Sequence, residues 1–276
     1  MIKDIIVSLG LGERDPAGDY ALSLAQAFAA HVLGAAFAYD VVIPGLAMDG
    51  GIPPEFIETQ RAQAESRAGA AMARFEAAAK RAGVSYESRL MNASVSGAAG
   101  EIARLARRFD LAVLGQAVRE EPASDQVLGE GVLFDSGRPV IFVPFIQKAA
   151  MTLNHVMICW DGSRAATRAI ADSMPLLEKA KQIEVVIVAA NEAQSNELPG
   201  VDLGQHLARH GLNVDVKRMT APDIDVAATI LSYAADTGTD LIVMGGYGHS
   251  RLREFVLGGV TRAILDSMTV PVLMSH

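Results

Sequence analysis

Residues 240–246 read DLIVMGG and residues 110–116 read DLAVLGQ: an acid, four apolar residues and a glycine, repeated 130 positions apart. Such a short apolar run is a strand buried on both faces, and the glycine after it opens a turn. Working outward, TVPVLMS at 269–275 pairs with RPVIFVP at 138–144, whose central prolines, Pro271 and Pro139, lie 132 apart. At the start of each copy, HVMICWDGS at 155–163 matches KDIIVSL at 3–9, and an alanine-rich helical stretch follows both. One period running through the whole chain makes it a tandem repeat of a single unit. The boundary falls near 147–152, giving domains 1–147 and 152–276.

In the first half, strands are expected over 2–9, 32–39, 85–90, 111–114 and 140–143, with helices over 17–30, 55–82 and 97–109. The last helix ends in Arg107 and Arg108, basic residues that suit a helix C-terminus. The second half repeats the pattern with strands over 155–160, 183–188, 213–219, 241–244 and 270–274. Its second crossover, 191–210, is shorter. Strands that alternate with helices form right-handed β-α-β units whose ligands sit beyond the carboxyl ends of the strands. The fold class is therefore α/β: two tandem doubly wound, Rossmann-like domains, each with a five-stranded parallel sheet. The last strand of each half is unfollowed by a helix and would be an edge, the natural place for the two copies to pair as an intramolecular pseudo-dimer.

Composition narrows the function. The net charge of -8 argues against a nucleic-acid binder, because phosphate-backbone affinity needs clustered Lys and Arg. Cys159, the single cysteine, allows no internal disulfide, so an oxidising compartment is not suggested. Charges at Lys3, Asp4, Glu13 and Arg14 interrupt any signal-peptide core, and no apolar run is long enough to span a bilayer. A cytoplasmic protein without membrane partners is expected.

The chemistry concentrates after the fourth strand of the second half. GGYGHSRLREFVLGGVTR at 245–262 places Gly245, Gly248, Gly258 and Gly259 around a short central segment. Glycine lets backbone amides approach an anion, and the helix that starts at VTRAILDSM would offer its N-terminal amides and dipole at Gly259 and Val260. Thr261, Ser250, His249, Arg251 and Arg253 add donors. The spacing, Gly245-x-x-Gly248, nine residues, then Gly258 and a small residue, resembles the G-x-x-G-(nine)-G-[ST] loop of the universal stress protein family. The preceding strand ending in Met-Gly and the closing Val-Pro-Val strand belong to the same resemblance.

The resemblance extends to Trp160-Asp161-Gly162-Ser163, similar to the family's acid and small residues at the end of strand one. It implies that Asp161 hydrogen-bonds adenine or ribose, that Val188 at the end of strand two contacts the base, and that Gly245, Gly248 and 258–260 hold phosphates of ATP or AMP, with or without Mg. One position departs from the pattern: Gly259 stands where the family has Ser or Thr. Backbone donation survives that change, and Thr261 or Ser250 would have to supply the missing hydroxyl. In the first half, GQAVREEPASDQVLGEGVLFDS at 115–136 keeps Gly115, Gly129 and Gly131 but lacks the second glycine of the turn and carries Glu120 and Glu121. Two carboxylates there repel an anionic ligand, so this half reads as a degenerate partner.

Other constellations weigh less. His206 and His210, four apart on a helix, have no third metal ligand identifiable in the sequence. Ser163 and Ser250 lie near the loop with His249 but outside any G-x-S-x-G elbow, and read as helix caps or phosphate donors. The segment 48–54, MDGGIPP, reads as a loop between strand two and the long helix. What the resemblance implies is a stress-response regulator binding an adenine nucleotide in its C-terminal domain, with at most slow ATP hydrolysis and a homodimer of the whole chain left open. The alternative is a nucleotide-independent interaction or chaperone-like module for a protein or apolar ligand.

Overall fold

In a computed structural model, residues 1–40, 54–117, 122–189, 200–220, 225–247 and 259–276 are described. The chain divides into two compact units, Ile2–Ser136 and Gly137–His276. The first runs β1 (Asp4–Ser8), α1 (Pro16–Phe28), β2 (His31–Tyr39), α2 (Pro54–Ala82), β3 (Ser85–Ala93), α3 (Val95–Ala106), β4 (Leu111–Gly115) and α4 (Pro122–Asp135). Its strands lie in the order β3-β2-β1-β4 and are parallel, with Ile5 opposite both Val32 and Leu111. Helix α1 starts where Asp15 Oδ1 accepts from the Gly18 amide at 3.0 Å, with Pro16 following the cap. Along α2, Ala64, Ala68, Ala71, Phe75 and Ala79 are buried, a stripe of helical period that leaves the rest of this 29-residue helix to solvent.

The second unit contains β5 (Val140–Val143), β6 (His155–Cys159), α5 (Arg164–Leu177), β7 (Gln182–Ala189), α6 (Gly200–Arg209), β8 (Val214–Thr220), α7 (Val226–Thr237), β9 (Leu241–Gly245), α8 (Val260–Ser267) and β10 (Val272–Ser275). Parallel strands follow the order β10-β9-β6-β7-β8. Helices cover both faces. The start of α6 at Gly200 lies against Ile187 and Val216, whereas Tyr233 of α7 bonds Glu184. Positions 184 and 187 of one strand point to opposite sides of the sheet.

The fold class read from the sequence holds: α/β, with tandem Rossmann-like repeats of the same strand order. Three particulars differ from the sequence reading. Strand β5, assigned by sequence to the first half, groups with the second unit, because it pairs antiparallel with β10 and Ile141 lies opposite Leu273. The stretch 115–136, read as the remnant of a phosphate loop, is largely the helix α4 packed on α3. Arg107, the residue that ends its own helix, also serves another. Its Nε and Nη2 donate to the carbonyl oxygen of Asp135 at 3.1 and 2.9 Å, satisfying an orphan acceptor at the end of α4.

Candidate functional site

Parallel pairing brings the carboxyl ends of β6, β7 and β9 side by side, since Ile158 lies opposite Val243 and Cys159 opposite Val186. Asp161, Val188 and Gly245 therefore emerge at one end of the sheet, where open α/β sheets bind ligands. Asp161 is exposed, and its Oδ1 accepts from the Ser163 amide at 2.9 Å, leaving Oδ2 toward solvent. Gly162 holds the turn at a φ of 74°, in the left-handed region. Ser163 caps α5 through Oγ, which accepts from the Ala166 amide at 3.1 Å.

Gly245 has a packing task. A Cβ there would stand 2.5 Å from the Ala166 nitrogen and 2.7 Å from the Ala165 carbonyl carbon, so glycine lets the first turn of α5 settle on the end of β9. Two helix N-termini thus meet the same end of the sheet. That of α5 is closed by Ser163. That of α8 begins at Gly259, with φ -49° and ψ 146°, and carries no side-chain cap. Its first amides, at Val260 and Thr261, keep the donors and the partial positive charge that suit an anion.

Thr261 is 3% exposed, and its Oγ1 accepts from the Tyr247 amide at 3.1 Å. The hydroxyl therefore fixes the turn after β9 and retains one hydrogen to donate. Tyr247 takes a φ of 51°, an uncommon conformation for a bulky residue. Its neighbour Gly246 donates to the Ser275 carbonyl at 2.9 Å and accepts from His276 Nδ1 at 3.1 Å. The sequence reading passed over Tyr247 and His276. A tyrosine inside a glycine turn was the available signal for the first, and nothing in the pattern marks the second. Gly248, His249, Ser250 and Gly258, with Arg251 and Arg253, lie outside the described residues.

Cys159 ends β6 beside this site. Desolvation, and secondarily the charge of Asp161, push the thiol of this partly exposed residue up to about 12, so little thiolate forms at neutral pH. The indole Nε1 of Trp160 is buried without a hydrogen-bond partner.

The corresponding loop of the first unit is tied down by its own side chains. Arg74 Nη2 of α2 donates to the carbonyl oxygens of Gly12 at 2.6 Å and Gly10 at 3.4 Å, and Asp15 is tucked beneath as the cap of α1. Desolvation raises the Asp15 carboxyl to about 6 even though the Gly18 and Gly10 amides bond it. Glu120 and Glu121 lie outside the described residues. Among the described residues no group of three His, Cys, Asp or Glu side chains has metal-site geometry, and the rings of His206 and His210 meet edge to face at 4.8 Å.

Comparison with known proteins gives this geometry a context. The model described as the universal stress protein family matches residues 152–276. A universal stress protein of Synechocystis is 25% identical over 171 residues, covering 60% of this chain and 57% of that relative, so the match spans little more than half the relative's length. One from Methanocaldococcus jannaschii is 40% identical over 45 residues, 16% of this chain and 28% of the relative. Among solved structures, a universal stress protein from Archaeoglobus fulgidus superposes with a TM-score of 0.68 at 17% identity, covering 98% of this chain and 94% of that one. The crystal structure titled a putative universal stress protein from Pseudomonas aeruginosa reaches 0.60 at 14% identity over 99% and 92% of the two chains. At these identities the structures testify to the fold.

Proposed function

Since the chain is a member of the universal stress protein family through its residues 152–276, we propose that its second repeat binds an adenine nucleotide, ATP or AMP, and that the protein acts as a nucleotide-responsive stress regulator. The observation that carries this reading is the contrast between the two helix N-termini at one end of the sheet: α5 is capped by Ser163 and α8 is uncapped. Phosphates belong at the amides of Val260 and Thr261, which no side chain caps among the described residues. Adenosine belongs beside Asp161, whose free carboxylate oxygen suits ribose hydroxyls or the adenine amino group, with Val188 against the base. In the first repeat, Arg74 and Asp15 hold the loop that follows β1.

Titration of ATP and AMP into nucleotide-stripped protein tests the assignment. Trp160 is the single tryptophan and precedes Asp161, so its fluorescence reports binding alongside calorimetry. One site is expected, lost in Asp161→Ala and Gly248→Val. Gly259→Ser is expected to strengthen binding several-fold, because it returns a hydroxyl that can donate to a phosphate oxygen. Absence of heat and fluorescence change with both nucleotides overturns the proposal in favour of a nucleotide-independent interaction module.

A further inference from the structure

At the opposite end of the second unit, a polar cluster is buried in an otherwise apolar core. His155, the first residue of β6, is 7% exposed and Glu184 of β7 is 9% exposed. Tyr233 of α7 donates its hydroxyl to Glu184 Oε1 at 2.8 Å. His155 Nδ1 lies 3.2 Å from the carbonyl oxygen of Thr237, the last residue of α7. A carbonyl only accepts, so Nδ1 carries a hydrogen. What remains is His155 Nε2 and Glu184 Oε2, 3.6 Å apart, both buried and, among the described residues, neither with a hydrogen-bond partner.

That remainder decides the chemistry. A neutral ring with its hydrogen on Nδ1 would point a lone pair at a carboxylate, two acceptors facing each other out of contact with water, which is costly. One hydrogen between Nε2 and Oε2 converts the clash into a charge-assisted contact, and the gap is too short to admit a bridging water. We propose that His155 and Glu184 form a buried proton-binding site beneath α7, with one hydrogen held between Nε2 and Oε2.

Other titratable groups stand on each element around the pair. On β8, Asp215 stands opposite Glu184 in the ladder. From the start of β9, Asp240 accepts the amides of Asn154 and His155 at 2.6 and 3.0 Å. From α7, Tyr233 stays a donor, because desolvation and then Glu184 push it up to about 12, and Asp236 is exposed. Lys181, exposed, precedes β7. Helix α7 is tied to the sheet at Tyr233 and at Thr237, and the Thr237 tie fixes the ring so that Nε2 faces Oε2. With the proton lost, two buried acceptors face each other 3.6 Å apart.

Side-chain 15N NMR of the full chain between pH 5 and 9 tests this, with His155 assigned through its ring-to-backbone couplings. The expected result is a doubly protonated ring at the acid end and a hydrogen on Nδ1 at the alkaline end. Glu184→Gln is expected to weaken proton binding about tenfold or more. A ring that keeps its hydrogen on Nε2 at alkaline pH overturns the proposal, and that measurement needs only the wild-type chain. Proton binding unchanged in a folded Glu184→Gln overturns it equally.

Discussion

Asp15 is ionised at a cost. Its carboxyl sits at about 6 instead of 3.8 because burial outweighs the two amides it accepts, so the folded protein prefers the protonated acid. The sign follows from linkage: stability from this group is complete below about pH 4 and is lost as pH rises through 6. Asn caps a helix as well as Asp, so Asp15→Asn should be more stable than the wild type at pH 7.5 by about 1–3 kcal/mol. The advantage should vanish at pH 4. Urea unfolding of the first unit at both values measures this, and an equal gap at the two would dismiss burial as the cause. Cys159 gives a second test in the other repeat. With the thiol at about 12, alkylation at pH 8 should run about a thousandfold slower than for a free thiol, and Asp161→Ala should speed it by removing the secondary cause. A native thiol that reacts in seconds would contradict the burial. Neither residue advertised itself in the sequence, because desolvation depends on what folds over a side chain. Glu184, an acid inside the apolar run QIEVVIVA, did carry a signal: charges are rarely buried without a partner.

Elements were the most legible level. Alternating apolar runs and alanine-rich stretches located every strand of both repeats to within two residues at nearly every end, because parallel strands are buried on both faces and read as continuous apolar blocks. Helix α4 escaped, since 115–136 was read for glycine spacing and not for period. In the site, sequence placed Asp161, Gly162 and Ser163 together, and Gly259, Val260 and Thr261 together. It read Ser163 as a helix cap or a phosphate donor, and the bond to the Ala166 amide makes it the cap; it gave no sign that Thr261 spends its oxygen on the Tyr247 amide, because that bond depends on a turn's exact course. Gly245 is the clearest case of a residue with two readings. As a phosphate-loop glycine it would matter for ligand; as the floor beneath α5 it matters for stability. Gly245→Ala should destabilise the second unit by about 1–3 kcal/mol through overpacking against Ala165 and Ala166. Thermal unfolding without nucleotide isolates this effect, and an unchanged midpoint would mean that α5 yields freely at that contact.

For the molecule as a whole, the division after Ser136 is a claim about which residues belong to the second folding unit. The sequence period puts the boundary at 147–152, since repeats are counted by likeness. Packing counts differently. Val140, Ile141, Phe142 and Val143 are all buried, and three of them stand opposite Val272, Leu273 and Met274 of β10 in an antiparallel ladder. Removing β5 strips β10 of that partner and bares an apolar edge strand, which is prone to pair with another copy. A fragment 137–276 should therefore be the more stable. A fragment 152–276 should melt at lower temperature and dimerise through β10, with Leu273→Lys reducing that association. Sedimentation and thermal melting of the two fragments side by side decide the matter: if 152–276 is a monomer that melts with 137–276, β5 contributes nothing to the second unit and the repeat boundary is also the folding boundary.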